Sequence, residues 1–233
     1  MTSLSRSPIG EELLDDPAAD PAAVASSLRH IARANRWFGG AAAVRFGLAQ
    51  TLGDMPRGTT LTLLDVGTGL GDLPRAAVRW GARHGLRIRP IGLERSRVAA
   101  RLAHDAGVAM IVGCAGAPPF QDKSVDILLV SQVAHHLAPA STVELLRAAD
   151  RIARRVVIVS DLRRSRVAQL AFRVGAAALR FDAVTIADGL TSIQRGYREA
   201  ELRTLCERAG VRADIHRRPV SRLIVSWRPG ARR

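Results

Sequence analysis

Apolar and polar positions along the chain alternate in blocks that predict strands and helices in turn. Dense apolar runs of four to eight residues are typical of buried strands. The densest run lies at 61–66, and strands also fit 86–93, 109–112, 125–131, 155–160, 211–216 and 221–227. Such strands, separated by helical patterns, predict a parallel sheet with helices on both faces. The last two runs, joined by a turn at 217–220, predict an antiparallel pair at one edge.

Between the strands, apolar residues recur at three- and four-residue steps, which is the period of an amphipathic helix. The predicted helices lie in 21–52, from Asp72 onward, at 96–106, 141–152, 165–181 and 199–209. Gly39 and Gly40 are expected to divide the first region into two helices. Ser141 is the predicted N-cap of its helix, with Glu144 at the capping-box position. The residues between 181 and 199 are expected to form a loop.

The first strand runs into a glycine-rich turn, Asp65-Val66-Gly67-Thr68-Gly69-Leu70-Gly71-Asp72. Glycines allow a tight turn and a close approach of the backbone to a ligand, and the following helix offers free N–H groups. The spacing G-x-G-x-G differs from the dinucleotide fingerprint G-x-G-x-x-G, and the lysine of a phosphate-binding P-loop is missing. Ligands of such sheets bind at the carboxyl ends of the strands. The turn therefore predicts a cofactor site at this edge.

The segment "LLDVGTGLGD" resembles motif I of the class I S-adenosylmethionine-dependent methyltransferases. "IGLERS", "VGCAGAPPFQDKSVDILLVSQVAHHL" and "GYREAELRTLCERAGV" resemble later parts of the same family, so that the resemblance covers residues 61–228. It is strongest to the small-molecule branch that includes the ubiquinone and menaquinone methyltransferases. It implies a Rossmann-like, doubly wound α/β fold: a mostly parallel seven-stranded sheet with an antiparallel last strand and helical lid elements.

The same resemblance implies a division of the chain. Residues 1–20 are expected to form a polar tail and residues 21–233 a single methyltransferase domain. Within the domain, 21–52 would be an N-terminal helical cap and 162–195 a lid insertion. These are the variable parts, which in this family cover the active site and select the substrate.

The resemblance also implies the residues at the cofactor, S-adenosylmethionine. Glu94 would accept hydrogen bonds from the ribose hydroxyls, and Asp65 would help to orient the ammonium group. Arg36 or its neighbour Asn35 would meet the cofactor carboxylate or an acidic phenol, unless this helical segment is only a solvated face. Cys114 stands where many relatives have an aspartate for the adenine amino group, and a thiol is a weaker partner. The expected cofactor residues are Asp65, Gly67, Thr68, Gly69, Gly71, Glu94, Arg95, Cys114, Ala115, Gly116, Ser131 and Arg36.

His135 and His136 follow the fourth strand, where the transferred methyl group is expected. Either could be a general base, since the ordinary pKa of histidine suits that task, or could pack on a helix and cap backbone groups. Of the two, His136 is the preferred base. Asp161 ends the fifth strand, where it could face the substrate or cap the next helix. It is the one acid well placed for a metal at these strand ends, so no metal site is expected.

The chain of 233 residues carries a net charge of +14, with 47% hydrophobic and 4% aromatic residues and two cysteines. This composition excludes disordered, collagen-like and disulfide-scaffold proteins, and we expect a cytoplasmic protein, monomeric or homodimeric. The charge reflects either a bias toward arginine or an anionic partner. Arg166, Arg173 and Arg180 recur every seven residues on the helix after Asp161, beside an apolar stripe, which predicts a basic lid with weak contact to an anionic membrane surface.

The expected function is methyl transfer to oxygen or carbon of a small, lipophilic aromatic acceptor, such as a hydroxyquinone, a phenol or a polyketide-like ring. One alternative is an RNA methyltransferase, which the charge favours. Against it, the chain lacks the asparagine-proline-proline-aromatic motif after the fourth strand, and its aromatic content is thin for base stacking, so nucleic acid is not the expected partner. The other alternative is a non-catalytic cofactor-binding protein on the same fold.

Overall fold

The computed structural model describes residues 18–230, in which seven strands form one sheet in the order β3-β2-β1-β4-β5-β7-β6. The strands are β1 (Thr60–Val66), β2 (Arg87–Glu94), β3 (Ala109–Val112), β4 (Val125–Ser131), β5 (Ala153–Leu162), β6 (Asp214–Arg218) and β7 (Arg222–Trp227). Neighbouring strands are parallel except where β7 pairs with β5 and with β6. The predicted fold class is confirmed.

Helices cover both faces of this sheet. They are α1 (Pro21–Trp37), α2 (Gly40–Leu52), α3 (Asp72–Arg83), α4 (Arg97–Asp105), α5 (Pro139–Ile152), α6 (Arg166–Ala178), α7 (Ala183–Arg195) and α8 (Glu199–Ala209), with a short 3₁₀ helix at Ala134–His136. One apolar core lies between the sheet and α5 and α8, and a second lies between the sheet and α2 and α3. Because both faces are buried, the central strand β4 is apolar along nearly its whole length.

The sheet is built outward in opposite directions from β1 and β4, which are hydrogen-bonded neighbours. β2 and β3 extend it on the side of β1, and the later strands extend it on the side of β4. β1, β4 and β5 are parallel, so their carboxyl ends meet at one edge of the sheet. This edge carries Asp65, Ser131 and Asp161, and the site described below is built on it.

Three predictions about helices were wrong. Helix α5 begins at Pro139 with Ala138 as its N-cap, because proline is favoured in the first turn of a helix, so Ser141 and Glu144 lie inside the helix. The expected loop after residue 181 is largely helix α7, which Asp182 caps by accepting a hydrogen bond from Thr185 N. Helix α6 ends at Ala178 rather than near Phe181, and Val167, Leu170 and Val174 of its apolar stripe are exposed.

The segments predicted as cap and lid hold α1 and α2 and, after β5, α6 and α7. The division into tail, cap and lid stays a prediction, and residues 1–17 of the predicted tail lie outside the described residues. Within residues 18–230, no helix combines the length and the apolar character needed to cross a membrane.

Candidate active site

The glycine turn after β1 requires glycine at each of its three positions. Gly67, Gly69 and Gly71 have φ values of +74°, +56° and +73°, a region that other residues adopt only with strain. A Cβ on Gly67 would collide with Val133, and one on Gly71 would lie 2.9 Å from Val108 Cγ2. The turn is therefore fixed by both backbone conformation and packing. It presents main-chain atoms, rather than side chains, toward a ligand.

Glu94, at the end of β2, holds this turn in place. Its Oε2 accepts a hydrogen bond from Gly69 N at 3.0 Å, and its Oε1 accepts one from Ser96 N at 3.0 Å. A carboxylate can accept about four hydrogen bonds, so each oxygen retains capacity for a further donor. The side chain is half-buried, which fits the predicted role of accepting bonds from ribose hydroxyls while also shaping the loop. Thr68 is buried, and its hydroxyl donates to Asp65 O at 2.7 Å.

Three carboxyl groups, those of Asp65, Asp72 and Glu94, lie close together at the turn. Asp65 is buried, and its Oδ1 has no hydrogen-bond partner among the described residues. Burial, with nearby Asp72 and Glu94, holds the pKa of Asp65 well above its ordinary value. Burial also raises the pKa of Asp72, although a hydrogen bond from Asn35 opposes the shift. A positively charged ligand would relieve this repulsion, so the site fits the ammonium and sulfonium groups of S-adenosylmethionine.

A chain of side-chain amides joins the N-terminal helices to this acidic pocket. Asn35 is buried on α1, and its Nδ2 donates to Asp72 Oδ2 at 3.0 Å, while Gln132 Nε2 donates to Asn35 Oδ1 at 2.6 Å. Gln132 directly follows β4 and has a φ of +58°, an uncommon conformation that marks functional loops. Arg36, by contrast, is exposed and its guanidinium lies over the ring of Trp37. The structure therefore brings Asn35 to the turn and places Arg36 on the surface. Asp72 and Gln132 were missed by the sequence reasoning, although Asp72 follows the third glycine directly.

The residues predicted around adenine lie on the loop after β3 and at the start of α4. Cys114 is exposed, and its Sγ accepts a hydrogen bond from Gly116 N at 3.4 Å. Ala115 is half-buried, and Gly116 and Arg95 are exposed. Cys114 thus shapes its own loop, in which the backbone of Ala115 and Gly116 can hydrogen-bond a base.

His135 and Asp161 form a buried pair at the carboxyl ends of β4 and β5. His135 Nδ1 lies 2.7 Å from Asp161 Oδ1, and His135 N donates to Asp161 Oδ2 at 3.2 Å. Leu162 N also donates to Asp161 Oδ1, at 2.6 Å. Burial alone would raise the pKa of Asp161, but the charge of His135 and these hydrogen bonds outweigh it and lower that pKa. Asp161 therefore stays ionised and orients the imidazole.

A buried tyrosine holds the 3₁₀ helix that carries the histidines. Tyr197 is buried, and its hydroxyl donates to Ala134 O at 2.7 Å and lies 3.2 Å from Thr142 Oγ1. His136, in contrast, is exposed: its ring lies 4.2 Å from that of His135, and its Nδ1 lies 3.1 Å from Arg195 NH1 of α7. The geometry favours His135 over His136 as a base, because a paired carboxylate fixes the orientation of its ring.

Further buried polar atoms line the same edge of the sheet. The hydroxyls of Ser131 and Ser160, which pair across β4 and β5, have no hydrogen-bond partner among residues 18–230, and neither does Arg222 NH1. Burial lowers the pKa of Arg222 to about 10, although the charge of Asp161 acts in the opposite direction. Its Nε donates to Phe38 O at 3.3 Å. Unpaired buried groups are costly, so their grouping at the carboxyl edge points to a polar ligand there.

Comparison with known proteins identifies a domain family in the central part of the chain. Residues 64–159, from β1 to β5, match the model of the methyltransferase domain family. No curated protein matches the sequence.

Solved structures of low identity share the fold. PigF with bound S-adenosylhomocysteine is 19% identical, with a TM-score of 0.62, over 93% of this chain and 62% of that chain. An S-adenosylmethionine-dependent methyltransferase from Aquifex aeolicus is 17% identical, with a TM-score of 0.56, over 90% and 98%. Magnesium protoporphyrin IX methyltransferase from Synechocystis PCC 6803 is 15% identical, with a TM-score of 0.53, over 83% of both chains.

The matched segment contains the glycine turn, Glu94 and the strand that leads to the histidines. Residues 64–159 thus match a methyltransferase domain, and the chain shares the fold of solved S-adenosylmethionine-dependent methyltransferases.

Proposed function

We propose that the protein transfers a methyl group to an oxygen or carbon of a small aromatic acceptor, with His135 as the general base. The pairing of His135 with Asp161 at the carboxyl edge carries this proposal. S-adenosylmethionine supplies an activated, electrophilic methyl group. The protein then has to orient the acceptor, exclude water and take one proton from it.

Each of these tasks falls to a defined group. Asp161 engages His135 Nδ1, so the nitrogen that takes a proton from an acceptor hydroxyl is Nε2, on the opposite side of the ring. The hydroxyls of Ser131 and Ser160 and the guanidinium of Arg222 supply polar contacts for oxygen atoms of the acceptor. Removing the hydroxyl proton makes a phenol oxygen, or a ring carbon conjugated to it, more nucleophilic. This is why one base serves either O- or C-methylation.

The acceptor class is a hydroxylated quinone, a phenol or a polyketide-like ring, and the lid helices α6 and α7 would cover it. Helix α7 packs against the 3₁₀ helix that carries the histidines, so a lid there can close over the reacting atoms. Closure would exclude water, which matters because the methyl donor would otherwise be open to side reactions.

The test is methyl transfer from isotopically labelled S-adenosylmethionine to a panel of hydroxyquinones, phenols and polyketide-like aromatic acids, with bulk RNA as a separate arm. We expect label in at least one aromatic product, and mass spectrometry of that product distinguishes O- from C-methylation. Labelled RNA with unlabelled aromatics would support the nucleic-acid alternative. Cofactor binding without transfer to any acceptor would support a non-catalytic protein.

A further inference from the structure

Helix α6 directs an apolar face toward solvent. Val167, Leu170 and Val174, which recur at helical spacing, are 77%, 66% and 63% exposed. The opposite side of the helix packs inward: Ala176 is buried, and Phe172 meets Phe38 with ring centroids 5.4 Å apart. The helix is therefore held to the protein by one side, while its more apolar aliphatic side is exposed within residues 18–230.

Other exposed apolar side chains lie near Phe38, which packs against this helix. Trp37 is 61% exposed. The next residue, Phe38, packs so closely on α6 that a Cβ added to Gly175 would lie 2.7 Å from its ring. Val220 is 51% exposed. Its Cβ lies 3.5 Å from the position that a Cβ on Gly39 would occupy. Val167, Leu170 and Val174 are called the outer lid face, and Trp37 and Val220 are exposed neighbours of the segment that packs on the helix. Apolar patches of this kind mark interaction surfaces.

The surroundings of the outer lid face are basic. Arg166, Arg173 and Arg180 are exposed on and after α6, and neither α1 nor α6 contains an aspartate or glutamate. Arg33 of α1 reaches the end of α6, where its NH2 donates to Leu179 O at 2.7 Å. Arg36 stacks on Trp37. Apolar side chains, an exposed tryptophan and a rim of arginine are the composition of helices that lie in a membrane interface.

We propose that the outer lid face docks on an anionic membrane surface. A second copy of the chain fits less well, because a twofold dimer would set this arginine-rich face against itself. Anionic headgroups instead complement the arginines, and the aliphatic side chains and Trp37 enter the boundary between headgroups and acyl chains.

Docking would also orient the active site. Helix α6 packs on α7, and α7 reaches the catalytic segment through Arg195, whose NH1 lies 3.1 Å from His136 Nδ1. The face that contacts lipid is thus the outer side of the lid whose inner side reaches the histidines. A lipophilic ring could then pass from the bilayer to the site. This last step rests on the proposed function, whereas docking does not.

The experiment is co-sedimentation of the full chain with vesicles of phosphatidylcholine alone or mixed with phosphatidylglycerol, at low and moderate salt. We expect binding to the anionic vesicles that weakens as salt screens the arginines. Replacing Arg166, Arg173 and Arg180 by glutamine should lower the partition constant about fivefold for each arginine. Val167→Ser with Leu170→Ser and Val174→Ser should also lower it, without loss of fold because these side chains are exposed.

Two matched controls test whether vesicle binding depends on this face or only on the total charge and hydrophobicity of the protein. Glutamine at Arg83, Arg87 and Arg89 removes three exposed charges elsewhere on the molecule, and Val112→Ser removes an apolar side chain that is 55% exposed on β3. Neither should change vesicle binding much. Absence of binding to both vesicle types, equal effects of the two arginine triplets, or self-association that the serine variants abolish would overturn the proposal. Transfer to a water-soluble acceptor by the serine variants would show that the methyltransferase function stands independently.

Discussion

His135 Nδ1 and Asp161 Oδ1 lie 2.7 Å apart in the interior, although 26 positions separate the two residues in the chain. Parallel pairing of β4 with β5 creates this proximity, since it sets Ser131 beside Ser160 and so brings the following residues to the same edge. Asp161 makes three hydrogen-bond contacts, to the imidazole and to the backbone N–H groups of His135 and Leu162. Such a carboxylate fixes the orientation of the ring, which is why we propose His135 rather than His136 as the base.

His135→Gln should reduce kcat for methyl transfer by roughly 10²- to 10⁴-fold, the usual contribution of a general base. The affinity for S-adenosylhomocysteine should change little, because His135 lies beyond the glycine turn. Steady-state kinetics with an aromatic acceptor and calorimetry with S-adenosylhomocysteine measure the two effects. His136→Gln is the matched control and should have a much smaller effect. The reverse ranking of the two variants would remove His135 from the mechanism.

Asp161→Ala should lower the free energy of unfolding by about 3–5 kcal/mol, the usual cost of removing one partner from a buried pair. The pKa of Asp161 is lowered in the folded protein. Its stabilising contribution is therefore present above about pH 4, near the unfolded value, and is lost as the pH falls through the folded value. Urea unfolding at several pH values should show a shallower acid decline in Asp161→Asn than in the unaltered protein.

The control for that experiment is the ion pair between Arg147 and Glu144, 2.9 Å apart and exposed on α5. Glu144→Ala should change stability by less than about 1 kcal/mol, as expected for an ion pair at the surface. If Asp161→Ala were no more destabilising than Glu144→Ala, the buried pair would contribute little to the fold.

The order of elements could be predicted from the sequence, whereas the pairing of catalytic groups could not. Apolar runs predict β3 and β4 at their observed bounds, and in β4 every position is buried, which leaves little choice of residue type. The outward direction of the apolar stripe on α6, which includes Val167 and Leu170, could not be predicted, because helical spacing alone does not show whether a stripe packs on the core or faces outward. Helix α7 was missed because its polar and glycine residues resemble a loop. The contact between Asn35 and Gln132 depends on tertiary packing alone.

Binding of S-adenosylhomocysteine should release protons, because Asp65 has a raised pKa in the free protein. The ammonium group of the ligand favours the ionised carboxylate and lowers that pKa, so the proton leaves on binding. The affinity should then increase as the pH rises toward the pKa of the free protein. Calorimetry in buffers with different ionisation enthalpies measures the release. The dependence on buffer should disappear in Asp65→Asn, and a buffer-independent enthalpy in the unaltered protein would contradict this account of the acidic pocket.

Gly67→Ala should both destabilise the protein and abolish most of its affinity for the cofactor. At a φ of +74°, a non-glycine residue costs about 1–2 kcal/mol, and the added Cβ would also collide with Val133. Gly58→Ala separates these two causes, because Gly58 has a φ of +85° but a Cβ added there would meet no atom within 4 Å. It should show the backbone cost alone and retain cofactor affinity. Denaturant unfolding and calorimetry with S-adenosylhomocysteine measure both quantities.

Adding Val133→Ala to Gly67→Ala should recover the steric part of the loss and leave the backbone part. If the two glycine variants behaved alike in both measurements, the close packing of Val133 on the turn would have no role in holding the cofactor site.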